Sequence, residues 1–314
     1  MNTDIGVIIV TYNRLSKLKQ ALMSFEKQTF FPSYLLVVDN ASTDGTGEYL
    51  KTWKRESGAF DKIVITMKEN CGGSGGFYTG LKKGLSLAAD WLWVSDDDAF
   101  PCVDALYKTH EYLWQNMERV GTLSAICGQV INHGKIDIAH RKIYGKKSIT
   151  ITETFVPAKE YEKTEFELNA FTYVGTIMNK EKLKKAGLPN RDFFIWWDDL
   201  EHGLRMSKIG KIVCVPAIKI HHDVDENGSS VSWKSYYGYR NMTATYKKHF
   251  PGFCYWYFCF KVWVKIIFNF LTGRKIEEIN ILQDGFFDAI RNRFGIHAVY
   301  RPGWVSAEHQ RKLK

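Results

Sequence analysis

Three aspartates in a row, Asp96, Asp97 and Asp98, follow an apolar run in the stretch WLWVSDDDAF, with no Lys or Arg inside it. Adjacent anions raise one another's cost of ionising. Such a cluster is either a solvated turn at a strand end or the seat of a cation. Asp96 and Asp98 are alternate residues, so in an extended segment they point the same way and can share one divalent ion while Asp97 turns aside. Carboxylate oxygens favour hard cations such as Mg2+ or Mn2+, and an imidazole ligand tilts the choice towards Mn2+. His221 and His222 end the run KIVCVPAIKIHH on opposite faces, so only one of them can join such a site. A second acidic set stands in WWDDLEH. Asp198, Asp199 and Glu201 lie at a helix start, where the dipole favours anions. Capping accounts for one Asp but not for two behind Trp196 and Trp197. A carboxylate in a walled, partly dry pocket suits a general base, and sugars stack on aromatic faces.

These groups need elements to hold them. IGVIIVTY, YLLVVDN, DKIVITM and DWLWVSDDD read as short buried strands rich in β-branched residues. Between them, Leu15, Leu18, Ala21, Leu22 and Phe25 show helical spacing, STDGTGEYLKTW opens on cap-forming residues, and NCGGSGGFYTGLKKGLSLA leads from a glycine loop into a helix. Strand and helix alternating predict an α/β fold with a mostly parallel sheet flanked by helices. Residues 125–180 are less regular. A strand and helix are expected within 167–187, a short helix from the WWDD aspartates, and a last strand over 211–222. From about residue 231 the chain turns aromatic, basic and helical. We divide it into a catalytic domain over 1–240 and a helical C-terminal extension over 241–314.

In parallel α/β sheets, ligands bind outside the carboxyl ends of the strands. Those ends carry Thr11, Asn13 and Arg14; Asp39 and Asn40; the glycine loop with Gly73, Ser74 and Gly75; the three aspartates; and the two histidines. Each is compatible with ordinary turn chemistry, but together they read as one site. GGSGGF lacks dinucleotide-loop spacing, and no GK[ST] follows it to make a P-loop. Ahead of a helix its free N–H groups can face a phosphate or a sugar, or it is simply a flexible turn.

Charge is uneven. The chain carries +9 overall, and residues 241–314 hold 12 Lys/Arg against 5 Asp/Glu. The nearly neutral remainder argues against a nucleic-acid-binding protein, whereas the basic aromatic tail suits an anionic membrane surface. The segment 253–270 holds nine aromatics in eighteen residues, with Tyr257, Lys261, Lys265 and Asn269 four apart on one polar stripe. It reads either as a helix packed on the catalytic domain or as one lying in a membrane interface. Lys247, Lys248, Arg274, Lys275, Arg291 and Arg293 would add to lipid attraction. The short N-terminal apolar run reads as a strand, not a secretion signal, and six cysteines without a CxxC pair fit reduced thiols. The expected location is cytoplasmic, peripheral at the inner face of the plasma membrane.

VIIVTYNR, VVDNASTDGT, NCGGSGGF, DDDA, WWDDLEHGLR and YYGYRN occur in the order seen in family 2 glycosyltransferases of the GT-A fold. The set resembles bacterial galactofuranosyltransferases most, with rhamnosyltransferases close behind, over roughly residues 5–245. The resemblance implies a nucleotide-sugar donor, UDP-galactofuranose or dTDP-rhamnose, and a glycan or lipid-linked acceptor. It implies that Asp39 binds the nucleotide, that Asp96, Asp98 and a histidine, His222 fitting slightly better than His221, hold the metal, and that Asp199 is the base, with Asp198 beside it. Thr11, Asn13, Arg14, Asn40, Gly73, Ser74, Gly75 and Asp97 are expected around the donor. Trp196, Trp197, Glu201, Arg240 and Asn241 are expected around the sugar or acceptor. The chain departs from the large polymerising members in lacking their long flanking domains, which suits addition of a single residue. A nucleotidyltransferase shares the sheet and metal but would carry a glycine-rich, basic segment after the first strand, and TYNRLSK has no glycine. A non-catalytic sugar-binding protein has no reason to keep DDD, WWDD and HH together.

Overall fold

The structure, a computed structural model, describes residues 3–224, 232–273 and 276–304. The chain forms β1 (Ile5–Thr11), α1 (Leu15–Glu26), β2 (Tyr34–Asp39), α2 (Thr46–Trp53), β3 (Asp61–Thr66), α3 (Gly72–Gly84), β4 (Trp91–Asp96), β5 (Ala99–Pro101), α4 (Ala105–Gln115), α5 (Met117–Val120), β6 (Leu123–Asn132), β7 (Lys135–Ile136), β8 (Arg141–Lys147) and β9 (Thr150–Phe155). There follow β10 (Phe166–Leu168), β11 (Ala170–Phe171), β12 (Thr176–Asn179), α6 (Lys180–Ala186), α7 (Asp198–Met206), β13 (Lys211–His222), α8 (Trp233–His249), α9 (Gly252–Thr272) and α10 (Ile276–Ile290).

The main sheet runs β10-β13-β6-β12-β4-β1-β2-β3. Its β3-β2-β1-β4 half is parallel, and β12 enters antiparallel between β4 and β6. β1, β2 and almost all of β4 are buried, which is why they read as unbroken apolar runs. The β6 strand, LSAICGQVIN, falls in the stretch that reads as irregular. Its Cys, Gly and Gln interrupt the apolar pattern, yet it is mostly buried and pairs with both β12 and β13.

The expected glycine loop is not a loop. Gly72 to Gly76 form the first turns of α3. The spacing of Gly76, Gly80 and Gly84 has a packing cause. A Cβ at Gly76 would meet Val10 Cγ1 at 2.4 Å, and one at Gly80 would meet Ile8 Cγ2 at 2.5 Å. The helix therefore lies directly on β1, against stiff β-branched side chains. Gly80→Ala is expected to destabilise the protein by about 1–3 kcal/mol through overpacking. Gly73→Ala meets nothing within 4 Å, so it should hold or raise Tm as a helical Ala does. Thermal melts of the two variants side by side check this.

The chain divides into two compact units. The first comprises 1–143, 154–190 and 199–225 and contains the main sheet; the second gathers 144–153, 191–198 and the described residues from 232 onward. The division therefore does not fall at residue 240, which lies inside the unbroken helix α8. All six cysteines are free.

Candidate active site

The first unit brings the strand-end residues together as a charged cluster. Thr11 closes β1, and its Oγ1 donates to Asp97 Oδ2 at 2.7 Å. Arg14, at the N-terminus of α1, donates from Nη1 to Asp98 Oδ2 at 2.6 Å and reaches Asp97 Oδ1 at 3.3 Å. Asp97 thus turns aside onto these two partners. Burial pushes its carboxyl up to about 6, while Arg14 and Thr11 act against the rise. Burial and then the Asp98 charge push Asp96 up to about 7, against the pull of His222. Burial would raise Asp98 too, but the hydrogen bond and charge of His222, with Arg14, hold it below the usual carboxylate range.

The β13 strand supplies the histidine. Its pairing with β5 places His222 opposite Ala99, beside the aspartates. His222 Nε2 lies 3.4 Å from Asp98 Oδ1. His221 falls on the other face, as alternation requires, and is exposed. One ligand atom each of Asp96, Asp98 and His222 lie within 4.8 Å of one another, so His221 is not part of the cluster. Two oxygens and one imidazole nitrogen form a donor set suited to Mn2+ or Mg2+. Three adjacent carboxylates crowd there against Arg14 and His222, and among the described residues His222 Nδ1 is buried without a hydrogen-bond partner. The residues therefore fit a divalent cation.

A neighbouring pair escapes the sequence reading. Asp137 and His140, joined at 3.3 Å, share the environment of His222, and the His140 and His222 rings meet edge to face with centroids 5.0 Å apart. They stand in GKIDIAHRK, within the stretch that reads as irregular. Their only signal is a carboxylate and an imidazole three residues apart.

Asp39 and Asn40 end β2 and are both buried. Asp39 Oδ1 accepts from the Ser42 N–H at 3.0 Å. Asn40 is committed to structure: its amide donates to Asn70 Oδ1 and the Gly72 carbonyl and accepts from the Cys71 N–H, which fixes the entry to α3. Asn13, at a left-handed φ of 53°, ties the β1 end to the β2 end through Thr43 and Ser42. Ser74 is fully buried and its Oγ has no partner among the described residues, whereas Gly73 borders open space.

Asp199, in the first turn of α7, carries a carboxyl pushed up to about 6 by burial. Backbone N–H groups, that of Leu200 donating at 2.7 Å, and the charge of Lys142 act against the rise. Asp96 and Asp199 are close enough for the charge of one to raise the other. Glu201, two residues on, falls on the opposite side of α7 from Asp199. It is buried and paired with Arg205 at 3.0 Å, whose guanidinium also donates to the carbonyls of Ala186, Gly187 and Leu188.

The second unit holds the segment 191–198, with Asp198 buried at its end. Phe194, Trp196 and Trp197 have φ of 67°, 63° and 71°. Three bulky residues in the left-handed region store strain that surrounding bonds must offset. Asn241 supplies them, donating to the carbonyls of Phe193, Ile195 and Trp196 at 2.9–3.0 Å. Arg240 adds donors to Asp192, Phe193 and Gly295. Both side chains are buried, so the expected sugar contact gives way to a positioning role: they fix the loop that presents the tryptophans. Trp197 packs edge to face on Tyr144 and Tyr246, while Trp196 stays half exposed against Gly238. Arg240→Ala leaves buried carbonyls unpaired and is expected to cost about 2–4 kcal/mol in urea unfolding, with no rescue by Lys, which lacks the planar fork.

Residues 6–183, more than half of the chain, match the family described as Glycosyl transferase family 2. The protein belongs to that family and is a glycosyltransferase. It is 37% identical over 101 residues to galactofuranosyltransferase GlfT1 of Mycobacterium tuberculosis (strain H37Rv), a match covering 31% of each chain. It is 32% identical over 102 residues to GlfT1 of Mycolicibacterium smegmatis, covering 32% of each. The aligned stretch thus spans about a third of these relatives. Among solved structures, S. aureus TarS 1–349 in complex with UDP-GlcNAc superposes with TM-score 0.60 at 15% identity, over 91% of this chain and 81% of that one. Mannosyltransferase PcManGT from Pyrobaculum calidifontis, in complex with GDP-Man and Mn2+, gives 0.55 at 18%, over 78% and 63%. At such identities the likeness is one of fold, and the fold is GT-A.

Proposed function

We propose that the protein is an inverting, metal-dependent galactofuranosyltransferase. It takes galactofuranose from UDP-galactofuranose and passes it to a glycan or lipid-linked acceptor at the cytoplasmic face of the plasma membrane. One observation carries the metal and the chemistry: Asp96, Asp98 and His222 converge to within 4.8 Å while Asp199 keeps a buried carboxyl with a pKa raised to about 6. The choice of sugar rests on the likeness to GlfT1.

Asp96, Asp98 and His222 would hold Mn2+ or Mg2+, which supplies positive charge against a departing diphosphate. Asp39 and the ends of β1 and β2 receive the nucleoside, and Gly73, with open space beside it, leaves room for the donor next to backbone N–H groups at the start of α3. Thr11 and Arg14 keep Asp97 out of the ligand set, and His222 with Arg14 keeps Asp98 ionised. Asp199 accepts the acceptor hydroxyl proton, and the oxygen attacks the anomeric carbon opposite the leaving group, which inverts the centre. Trp196 offers an exposed ring for a sugar face.

The test is nucleotide release with Mn2+ across UDP-galactofuranose, UDP-galactose, UDP-GlcNAc and dTDP-rhamnose, with the anomeric configuration of the product read by NMR. Turnover of UDP-galactofuranose with inversion is expected. Turnover of dTDP-rhamnose alone, or pyrophosphate release from a nucleoside triphosphate, would replace the proposal.

A further inference from the structure

The α9 helix has a sided surface that glycosyl transfer does not use. Cys254, Tyr255, Cys259, Val262 and Ile266 are buried within the second unit. Trp263 also touches Phe287 of α10 edge to face, with centroids 5.4 Å apart. Away from this packed side, Phe253, Trp256, Phe260, Val264, Ile267, Phe268 and Leu271 are exposed, Trp256 by 69% and Leu271 by 76%. At the helical period these positions span an arc of roughly 120°. An apolar face of this length, open to water, is far beyond the scattered exposure of an ordinary surface.

Charge says what covers it. Lys261 and Lys265 are exposed along one flank of the arc. Lys146 sits 5.1 Å over the Phe253 ring at the N-terminal end, and Lys247 and Lys248 are exposed at the end of α8. The narrow stripe expected from sequence is only half realised, because Tyr257 and Asn269 are half-buried and the two lysines stay outside. Arg274 and Lys275, counted with the tail's basic residues, lie outside the described residues. An apolar face bordered by lysines, with Trp256 and Trp263 on its other flank, matches the boundary between acyl chains and anionic headgroups. By length and composition α9 also suffices to cross a bilayer. Its buried face opposes that, since a spanning helix would not keep five side chains packed inside the second unit.

We propose that the exposed face of α9 docks the protein onto an anionic phospholipid surface, lying parallel to it rather than crossing it. Flotation of the full chain with vesicles tests this, using phosphatidylcholine alone and phosphatidylcholine with about one third phosphatidylglycerol. Binding is expected only to the anionic vesicles, reversed by high salt. Trp256→Ser with Phe260→Ser should lower the bound fraction at least tenfold, and Lys261→Gln with Lys265→Gln should remove most of its salt dependence. All these side chains are exposed, and thermal melts matching the parent check that the variants fold. Retention of the apolar variant on vesicles overturns the proposal, as does resistance of the parent to alkaline extraction, which marks a spanning helix. A parent that dimerises through this face instead, seen as a monomer only in the Ser variant, overturns it too.

Discussion

Asp96→Ala or Asp98→Ala is expected to lower sugar transfer by about a thousandfold, roughly 4 kcal/mol of barrier. Two carboxylates that point to one place lose their shared function when either is removed, and the remaining oxygen and imidazole make a poor seat for a hard cation. The same variants should lose Mn2+ binding in calorimetry, which separates a missing ligand from a missing catalytic group. Asp97→Ala should be milder. Its carboxylate is bonded to Thr11 and, at 3.3 Å, to Arg14, so its loss leaves Arg14 on Asp98 and removes no ligand. His221→Ala should leave Mn2+ affinity unchanged, and His222→Ala should weaken it by more than tenfold, because only His222 faces the aspartates. Equal losses at all three aspartates, in an enzyme active without added metal, would remove the metal from the account.

The parallel half of the sheet is legible because β1, β2 and most of β4 are buried and β1, β2 and β3 are each followed by a helix with its own spacing. HH is legible for a related reason: alternation along β13 sets His221 against His222. Alternation also picks Asp96 with Asp98, but in the structure β4 ends at Asp96 and a turn at Asp97 and Asp98, not an extended strand, brings the two carboxylates together. What does not show is set by tertiary context. Arg240 and Asn241 look like ligand contacts because buried polar groups and binding groups are the same residue types. Only the fold shows that their donors go to the carbonyls of 192–196. Glu201 is hidden in the same way by Arg205 four residues on. The glycines of α3 invite a loop, since helix propensity disfavours glycine, yet at Gly76, Gly80 and Gly84 the close approach to Val10 and Ile8 leaves no room for a side chain. Asp137 and His140 cannot be joined to His222 without β6 and β13 being parallel neighbours.

Asp199→Asn should keep donor binding and lower turnover by about a hundredfold to ten-thousandfold, the usual range for removing a general base. The amide preserves shape and can still accept the Leu200 N–H through its oxygen, so α7 should start as before. It cannot take a proton. Calorimetry with the nucleotide sugar beside single-turnover rates separates the two effects: an unchanged Kd with a collapsed rate is expected. The pH profile gives an independent check. Burial raises the folded carboxyl to about 6, so the base is charged above that pH and protonated below it. The rate should therefore rise with pH up to a limb no higher than about 6 and then level off. A cation at Asp96 and Asp98 would shift that limb downward, since nearby positive charge favours the carboxylate. Asp199→Asn should lose the limb along with the rate. Asp198 is the control, being the adjacent buried carboxyl. Survival of the rate and its acid limb in Asp199→Asn, with their loss in Asp198→Asn, would assign the base to Asp198.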